Sequence, residues 1–173
     1  TQDGLTGINN RRRFDEALYD EWYRAVRLST PLSLIICDID KFKEYNDTHG
    51  HLAGDKCLIR IAHLIDDYAR RTVDVAARFG GEEFAVILPD TDTEDAKKVA
   101  EQIRIAIIDL ALPHGMSSVA DIVTVSFGVH TTTPEKDVLP EILIDSADKA
   151  LYQAKEEGRN RVIVYKDNTE NQD

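Results

Sequence analysis

The stretch from Asp74 to Leu88 constrains this chain more than any other. Val75, Ala77 and Phe79 alternate, Gly80-Gly81-Glu82-Glu83 intervene, and Phe84 to Leu88 then runs apolar. That order reads as a hairpin whose tip is Gly80 to Glu83. The two glycines free the backbone to turn and leave bare main chain against which a ligand can lie. Neighbouring carboxylates on one turn repel each other unless a metal ion neutralises them. Taken alone, the tip reads as well as an ordinary acidic turn, so the rest of the chain has to decide.

At 173 residues the chain is long enough for one domain with a full core. No apolar run approaches the ~20 residues of a membrane span, and no signal peptide opens the sequence. It begins at Thr1 rather than Met, which leads us to expect a domain cut from something longer. A formal net charge of -11 argues against a nucleic-acid surface and marks a solvated acidic exterior. Cys37 and Cys57 sit within apolar patterns without metal-type spacing and read as small buried hydrophobes in a reducing compartment.

In chain order, Asp3 to Asn10 reads as a turn, with Asn9 or Asn10 capping a helix that runs to about Leu28 on Phe14, Leu18, Trp22 and Ala25. Arg11-Arg12-Arg13 fits a solvated face paired with Asp15 and Glu16. Leu32 to Cys37 is an apolar run suited to a strand buried on both faces, ended by Asp38-Ile39-Asp40. A short helix is expected from about Lys41, with Asp40 as its simplest cap; Asp38 then has no structural task. It can hold a divalent cation, and the free amides of Lys41 to Lys43 can accept phosphate oxygens. Asn46 to Asp55 reads as a polar, glycine-punctuated loop leading to a helix with Leu58, Ile61, Ala62 and Ile65 inward. After the hairpin, Asp92 or Thr93 caps a further helix. Leu112 to Asp121 is a loop, Ile122 to Val129 a strand, and a last helix introduced by Pro134 and Asp137 stops at Gly158. Arg161 to Tyr165 completes the set as a strand, followed by a polar tail from Asp167 that should fray. Hairpin strands with helical crossovers imply a mixed sheet with helices packed on it.

Asp3-Gly4-Leu5-Thr6-Gly7, Asn10-Arg11-Arg12, Asp38-Ile39-Asp40 with Phe42-Lys43, Asn46-Asp47, Gly50-His51 and Gly54-Asp55 follow one another in the sequence. Arg78 to Phe84, Ser126-Phe127-Gly128, Ala147 to Tyr152, Ala154-Lys155 and Gly158-Arg159-Asn160 continue the series. In this order they resemble the GGDEF family of diguanylate cyclases, as a GGEEF variant with Glu82 where the family name has Asp. The resemblance implies an α+β fold, a mixed and largely antiparallel central sheet flanked by helices, like the palm of adenylate cyclases. It implies a catalytic domain over residues 1–166 and a tail over 167–173.

The implied reaction joins two GTP molecules into cyclic di-GMP in a homodimer, each domain presenting one nucleotide. Mg²⁺, or Mn²⁺, is the implied cofactor, with Asp38, the Ile39 carbonyl, Glu82 and Glu83 as ligands. Glu82, Lys155 and Arg159 are the implied catalytic residues. For substrate binding the resemblance points to Lys41, Phe42, Lys43, Asn46, His51, Asp55, Gly80 and Gly81. Guanine presents N1–H and a 2-amino group as parallel donors suited to a carboxylate, the role implied for Asp55. Asp55 also suits the N-cap of the helix that follows. Arg71-Thr72-Val73-Asp74 lies five residues ahead of Gly80 and looks like the family's inhibitory RxxD motif, which binds product. The plain alternative there is an exposed ion pair worth at most ~1 kcal/mol. An N-terminal sensory or dimerisation module, absent from this sequence, is implied, with this domain in the cytoplasm and the whole protein free or membrane-anchored. The competing reading is a catalytically silent module that senses GTP or cyclic di-GMP.

Overall fold

The structure, a computed structural model, describes residues 1–167. The tail expected over 167–173 therefore lies, apart from Asp167, outside the described residues. The elements are α1 (Arg11–Leu28), β1 (Leu32–Ile39), α2 (Phe42–His49), α3 (His51–Tyr68), β2 (Val75–Gly80) and β3 (Glu83–Pro89). Then come α4 (Thr93–Asp109), β4 (Val125–Thr132), α5 (Glu141–Glu156) and β5 (Val162–Val164). The strands form one mixed sheet in the order β2-β3-β1-β4-β5, antiparallel except for the β4–β5 pair. This is the expected α+β architecture.

β1 is the centre of the sheet, and every residue of it is buried. Its side chains alternate between two cores, as a strand must present them. Leu34 and Ile36 pack with Phe14, Trp22, Leu143 and Leu151 of α1 and α5. Ile35, Cys37 and Ile39 pack with residues of α3 and α4 such as Ile61, Ile65, Ala100 and Ile103. Covering both faces explains why the strand reads as an unbroken apolar run rather than an alternating one. Cys37 and Cys57 are buried and free, and burial pushes both thiols above their ordinary range.

The edge strand β2 is covered rather than left open. Arg78 N donates to the Asn9 carbonyl at 2.8 Å, Asn9 Nδ2 donates to the Ala76 carbonyl at 3.0 Å, and Arg78 pairs with Asp3 at 3.2 Å. The expected caps are present, since Asn10 accepts from Arg13 N and Asp92 from Asp95 N. Arg11 pairs with Asp15 and Arg12 with Glu16, as a solvated face should.

Several expectations are corrected. Residues 46–55 are not a loop: α2 runs to His49, Gly50 turns the chain at φ +87°, and α3 starts at His51. The apolar stripes of the two helices lapse across the polar, exposed residues around Gly50, so sequence reads the junction as loop. Asp55 consequently lies within α3 and is not its N-cap, which is Gly50. Asp40 does not cap α2 either; that position is Lys41. β4 begins at Val125 rather than Ile122 and runs on to Thr132, because Val123 bonds to Leu112 and Asp40 N to the Thr124 carbonyl, outside the sheet ladder. The last helix begins only at Glu141, after Pro140, and β5 is three residues rather than five.

α5 lies close on β4 at Gly128, where a methyl group would stand 2.1 Å from the Ala147 carbonyl oxygen and 2.3 Å from Leu151 N. Backbone cannot yield as a flexible side chain can. Gly128→Ala should therefore cost about 3 kcal/mol or more in urea unfolding; a loss under about 0.5 kcal/mol would contradict this packing.

Candidate active site

The C-terminal end of β1 is where the chemistry-bearing residues converge. Asp38 stands directly opposite Glu83 in the antiparallel register, on the face covered by α1 and α5, and Ile39 N bonds to the Glu82 carbonyl across the same strands. The hairpin tip closes as expected, with Gly81 at φ +49°, and Arg78 Nε holds the Gly81 carbonyl at 2.9 Å. A Cβ at Gly80 or Gly81 would meet nothing within 4 Å, so the main chain there faces open space.

A cavity of about 200 Å³ opens at this sheet end, bringing together Asp38, Ile39, Glu82, Lys155, Arg159 and the start of α2. Lys155 Nζ lies 3.0 Å from Asp38 Oδ2. Even so, burial pushes the Asp38 carboxyl up to about 6, with Lys155 opposing and the charges of Glu82 and Glu83 adding to the rise. Burial is also the main reason that Glu83 is raised, opposed by Lys155. Asp38 thus has one lysine against the charges of Glu82 and Glu83, while Glu83 also feels Arg11 and Asp148. Among the described residues, no group of three acidic, His or Cys side chains forms a complete metal cage. The available donors are all oxygen, including main chain at Ile39, which suits a hard divalent cation completed by substrate or water.

Asp40 has a role that sequence reasoning missed. It is buried and accepts from Thr124 Oγ1 at 2.7 Å, Ser126 Oγ at 2.6 Å and Asn160 N at 3.0 Å. These bonds fix the turn after α5, where Arg159 and Asn160 both adopt positive φ, and so place Arg159 at the cavity. The signal was the alternation of Thr124 with Ser126 at the start of β4, legible only once β4 is known to neighbour β1.

Lys41, Phe42 and Lys43 form the entry to α2 and line the cavity, Lys41 in the left-handed region at φ +54°. One turn on, Asn46 packs against α3 where that helix has Gly54; a methyl there would lie 1.8 Å from Asn46 Oδ1. That oxygen is buried and has no hydrogen-bond partner. His51 and Asp55 are exposed on the first turns of α3.

Arg71 and Asp74 lie elsewhere, at a second cavity of about 230 Å³ with Asp90, Thr91 and Asp95. They are more than an exposed pair. Arg71 Nη2 is 2.7 Å from Asp74 Oδ1 and donates to the Pro89 carbonyl at 2.8 Å and Thr91 Oγ1 at 2.7 Å. The Asp74 carboxylate is nearly buried, at 4% exposure, whereas the Arg71 side chain is 47% exposed.

Residues 1–161 match the family described as diguanylate cyclase, GGDEF domain. This chain belongs to that family. The response regulator PleD of Caulobacter vibrioides is 42% identical over 163 residues, covering 93% of this chain and 35% of PleD. The probable diguanylate cyclase DgcT of Escherichia coli is 41% identical over 163 residues, 94% of this chain and 35% of DgcT. The chain thus spans about a third of the length of these relatives. Among solved structures, the GGDEF domain of DgcB from Caulobacter crescentus in complex with c-di-GMP superposes with a TM-score of 0.86 at 37% identity, covering 95% of this chain and 92% of that one. The active GGEEF domain of a diguanylate cyclase from Vibrio cholerae gives 0.81 at 34% identity, covering 92% of this chain and 99% of that one.

The raised Asp38 carboxyl gives a test of the site's electrostatics. Between pH 3.8 and about 6 the folded GGDEF domain holds more protons at Asp38 than the unfolded chain does, so this group lowers stability as pH rises through that window. In urea unfolding without divalent cations, Asp38→Asn should gain on the wild type from about pH 4 to about pH 7. A stability difference that does not change with pH would contradict the burial of that charge.

Proposed function

We propose that this domain is a diguanylate cyclase, joining two GTP molecules into cyclic di-GMP where two copies meet face to face. The observation that carries the reading is Asp38, paired in register with Glu83, in a cavity shared with Glu82, Lys155, Arg159 and the entry to α2. Each 3′-oxygen bonds to the α-phosphorus of the other GTP as the bond to pyrophosphate breaks; two pyrophosphates and two protons leave. One cavity of this size accepts the phosphates of one nucleotide, so the reaction needs a second domain related by a two-fold axis.

The chain's own residues divide the work. The amides at the start of α2 cradle phosphate oxygens, with Lys155 and Arg159 on the outer phosphates. Asp38, Glu83 and the Ile39 carbonyl, with Glu82 beside them, would hold Mg²⁺ or Mn²⁺, which when bound activates the attacking hydroxyl and neutralises the leaving phosphates. Glu82, which lines the cavity, would also take the 3′-proton. Asn46 Oδ1, buried without a partner, awaits a donor that the guanine 2-amino group supplies, and Asp55 on the adjoining helix takes the parallel N1–H. Adenine would leave those acceptors unpaired, which makes GTP the substrate of choice. His51, exposed at the start of α3, would contact the ribose.

Product binding at Arg71 and Asp74 supplies feedback. The exposed face of the Arg71 guanidinium reads guanine O6 and N7, and the anchoring to Pro89 and Thr91 preorganises it. The complex of DgcB with c-di-GMP supports a cyclic di-GMP partner. The silent-sensor reading leaves Asp38, Glu82 and Glu83 without a use. Among the described residues no helix is long and apolar enough to cross a membrane. The proposed GTP substrate puts the reaction in the cytoplasm, and a sensory or dimerisation module in the same protein would bring two such domains face to face.

With GTP and Mg²⁺, Glu83→Ala should lose at least about 10³-fold in turnover while keeping its circular dichroism spectrum, and retained turnover would remove the metal assignment. Arg71→Ala should leave initial rates intact and raise the product concentration needed for half-inhibition by about tenfold or more; unchanged inhibition would remove the second site.

A further inference from the structure

His114 lies in the excursion between α4 and β4, outside every motif discussed above, yet it is completely buried. Its backbone N–H donates to the Asp121 carbonyl at 2.9 Å, and Val123 N to the Leu112 carbonyl at 2.8 Å, which closes the neck of the excursion. The His114 carbonyl lies 2.7 Å from His49 Nε2 at the end of α2. Its ring Nδ1 accepts from Met116 N at 3.3 Å, which leaves the proton on Nε2. Nε2 lies 2.8 Å from the Lys41 carbonyl oxygen at the start of α2. One loop residue therefore grips α2 at both ends. The Tyr45 ring fills the space between, 4.6 Å from the His49 ring and 5.4 Å from that of His114.

The grip falls on a particular peptide unit. Lys41 holds φ +54° and ψ +39°, a conformation that a side-chain-bearing residue keeps only when its surroundings impose it. Its carbonyl oxygen accepts from Tyr45 N at 3.0 Å as well as from His114. In a planar trans peptide the C=O of Lys41 and the N–H of Phe42 point in opposite directions. Fixing the first fixes the second. The Phe42 amide is the first of α2 and has no partner within the helix, and Phe42 lines the cavity that holds Asp38, Glu82, Lys155 and Arg159.

We propose that His114 is a positioning residue for the nucleotide site: by holding the Lys41 carbonyl, its Nε2–H aims the Phe42 amide at the substrate phosphates. The inference rests on reading the entry to α2 as the phosphate cradle of a GTP site. A histidine that merely fills the core between α2 and the loop would affect base and phosphate binding alike, and this difference supplies the test.

Wild type and His114→Phe, which keeps a buried ring without the donor, would be titrated with Mg²⁺·GTP and with guanosine. The expected result is GTP affinity about tenfold weaker and guanosine affinity changed less than about twofold. His114→Gln, which retains an amide donor at similar reach, should recover most of the GTP affinity. Should the phenylalanine variant not fold, His114→Leu repeats the measurement. Equal losses for both ligands, or no loss for GTP, would overturn the positioning role while leaving the cyclase reading intact. A wild type that binds guanosine as tightly as GTP would remove the phosphate cradle and this proposal with it.

Discussion

Placing carboxylates at the end of a strand that is buried along its whole length is the constraint on which the rest of this structure depends. β1 is the only route by which Asp38 and Asp40 reach the sheet end, and it is held there by Glu83 on one side and Ser126 on the other. Their environments differ. Asp40 is saturated with donors and serves structure, while Asp38 has one lysine against two neighbouring glutamates. A fold seldom leaves a partly buried charge so poorly compensated unless a ligand completes it. The hairpin tip, the turn after α5 and the entry to α2 all converge on that deficit.

Much of this was legible in the sequence because the relevant physics is local. Gly80-Gly81 between two strand patterns fixes a hairpin tip, Asn10 and Asp92 cap helices through their own side chains, and the unbroken run Leu32–Cys37 announces a strand covered on both faces. The site residues Asp38, Glu82, Lys155 and Arg159 come from three separate regions of the chain, and the structure brings them to one cavity. Motif order suggested that meeting; periodicity alone could not.

What the sequence hid depends on long-range pairing. Asp40 looked like a helix cap because its true partners, Thr124 and Ser126, lie more than eighty residues away. Residues 46–55 looked like loop because a single glycine separates two helices whose exposed faces are polar. Arg71 matched a product-binding motif, but its further bonds to Pro89 and Thr91 beyond the next strand were hidden. His114 carried no signal, since neither its neighbours nor its spacing shows that it reaches back to Lys41.

Catalysis as proposed is a property of two domains, and this sets the most direct measurement. Nucleotide-free protein would be incubated with GTP and Mg²⁺ over a wide range of protein concentrations, with products separated by chromatography. Cyclic di-GMP should appear with pyrophosphate, at a rate per domain that rises with protein concentration until the dimer saturates. Release of pyrophosphate without a cyclic dinucleotide, or a rate per domain independent of concentration in monomeric protein, would contradict a reaction that needs two facing sites.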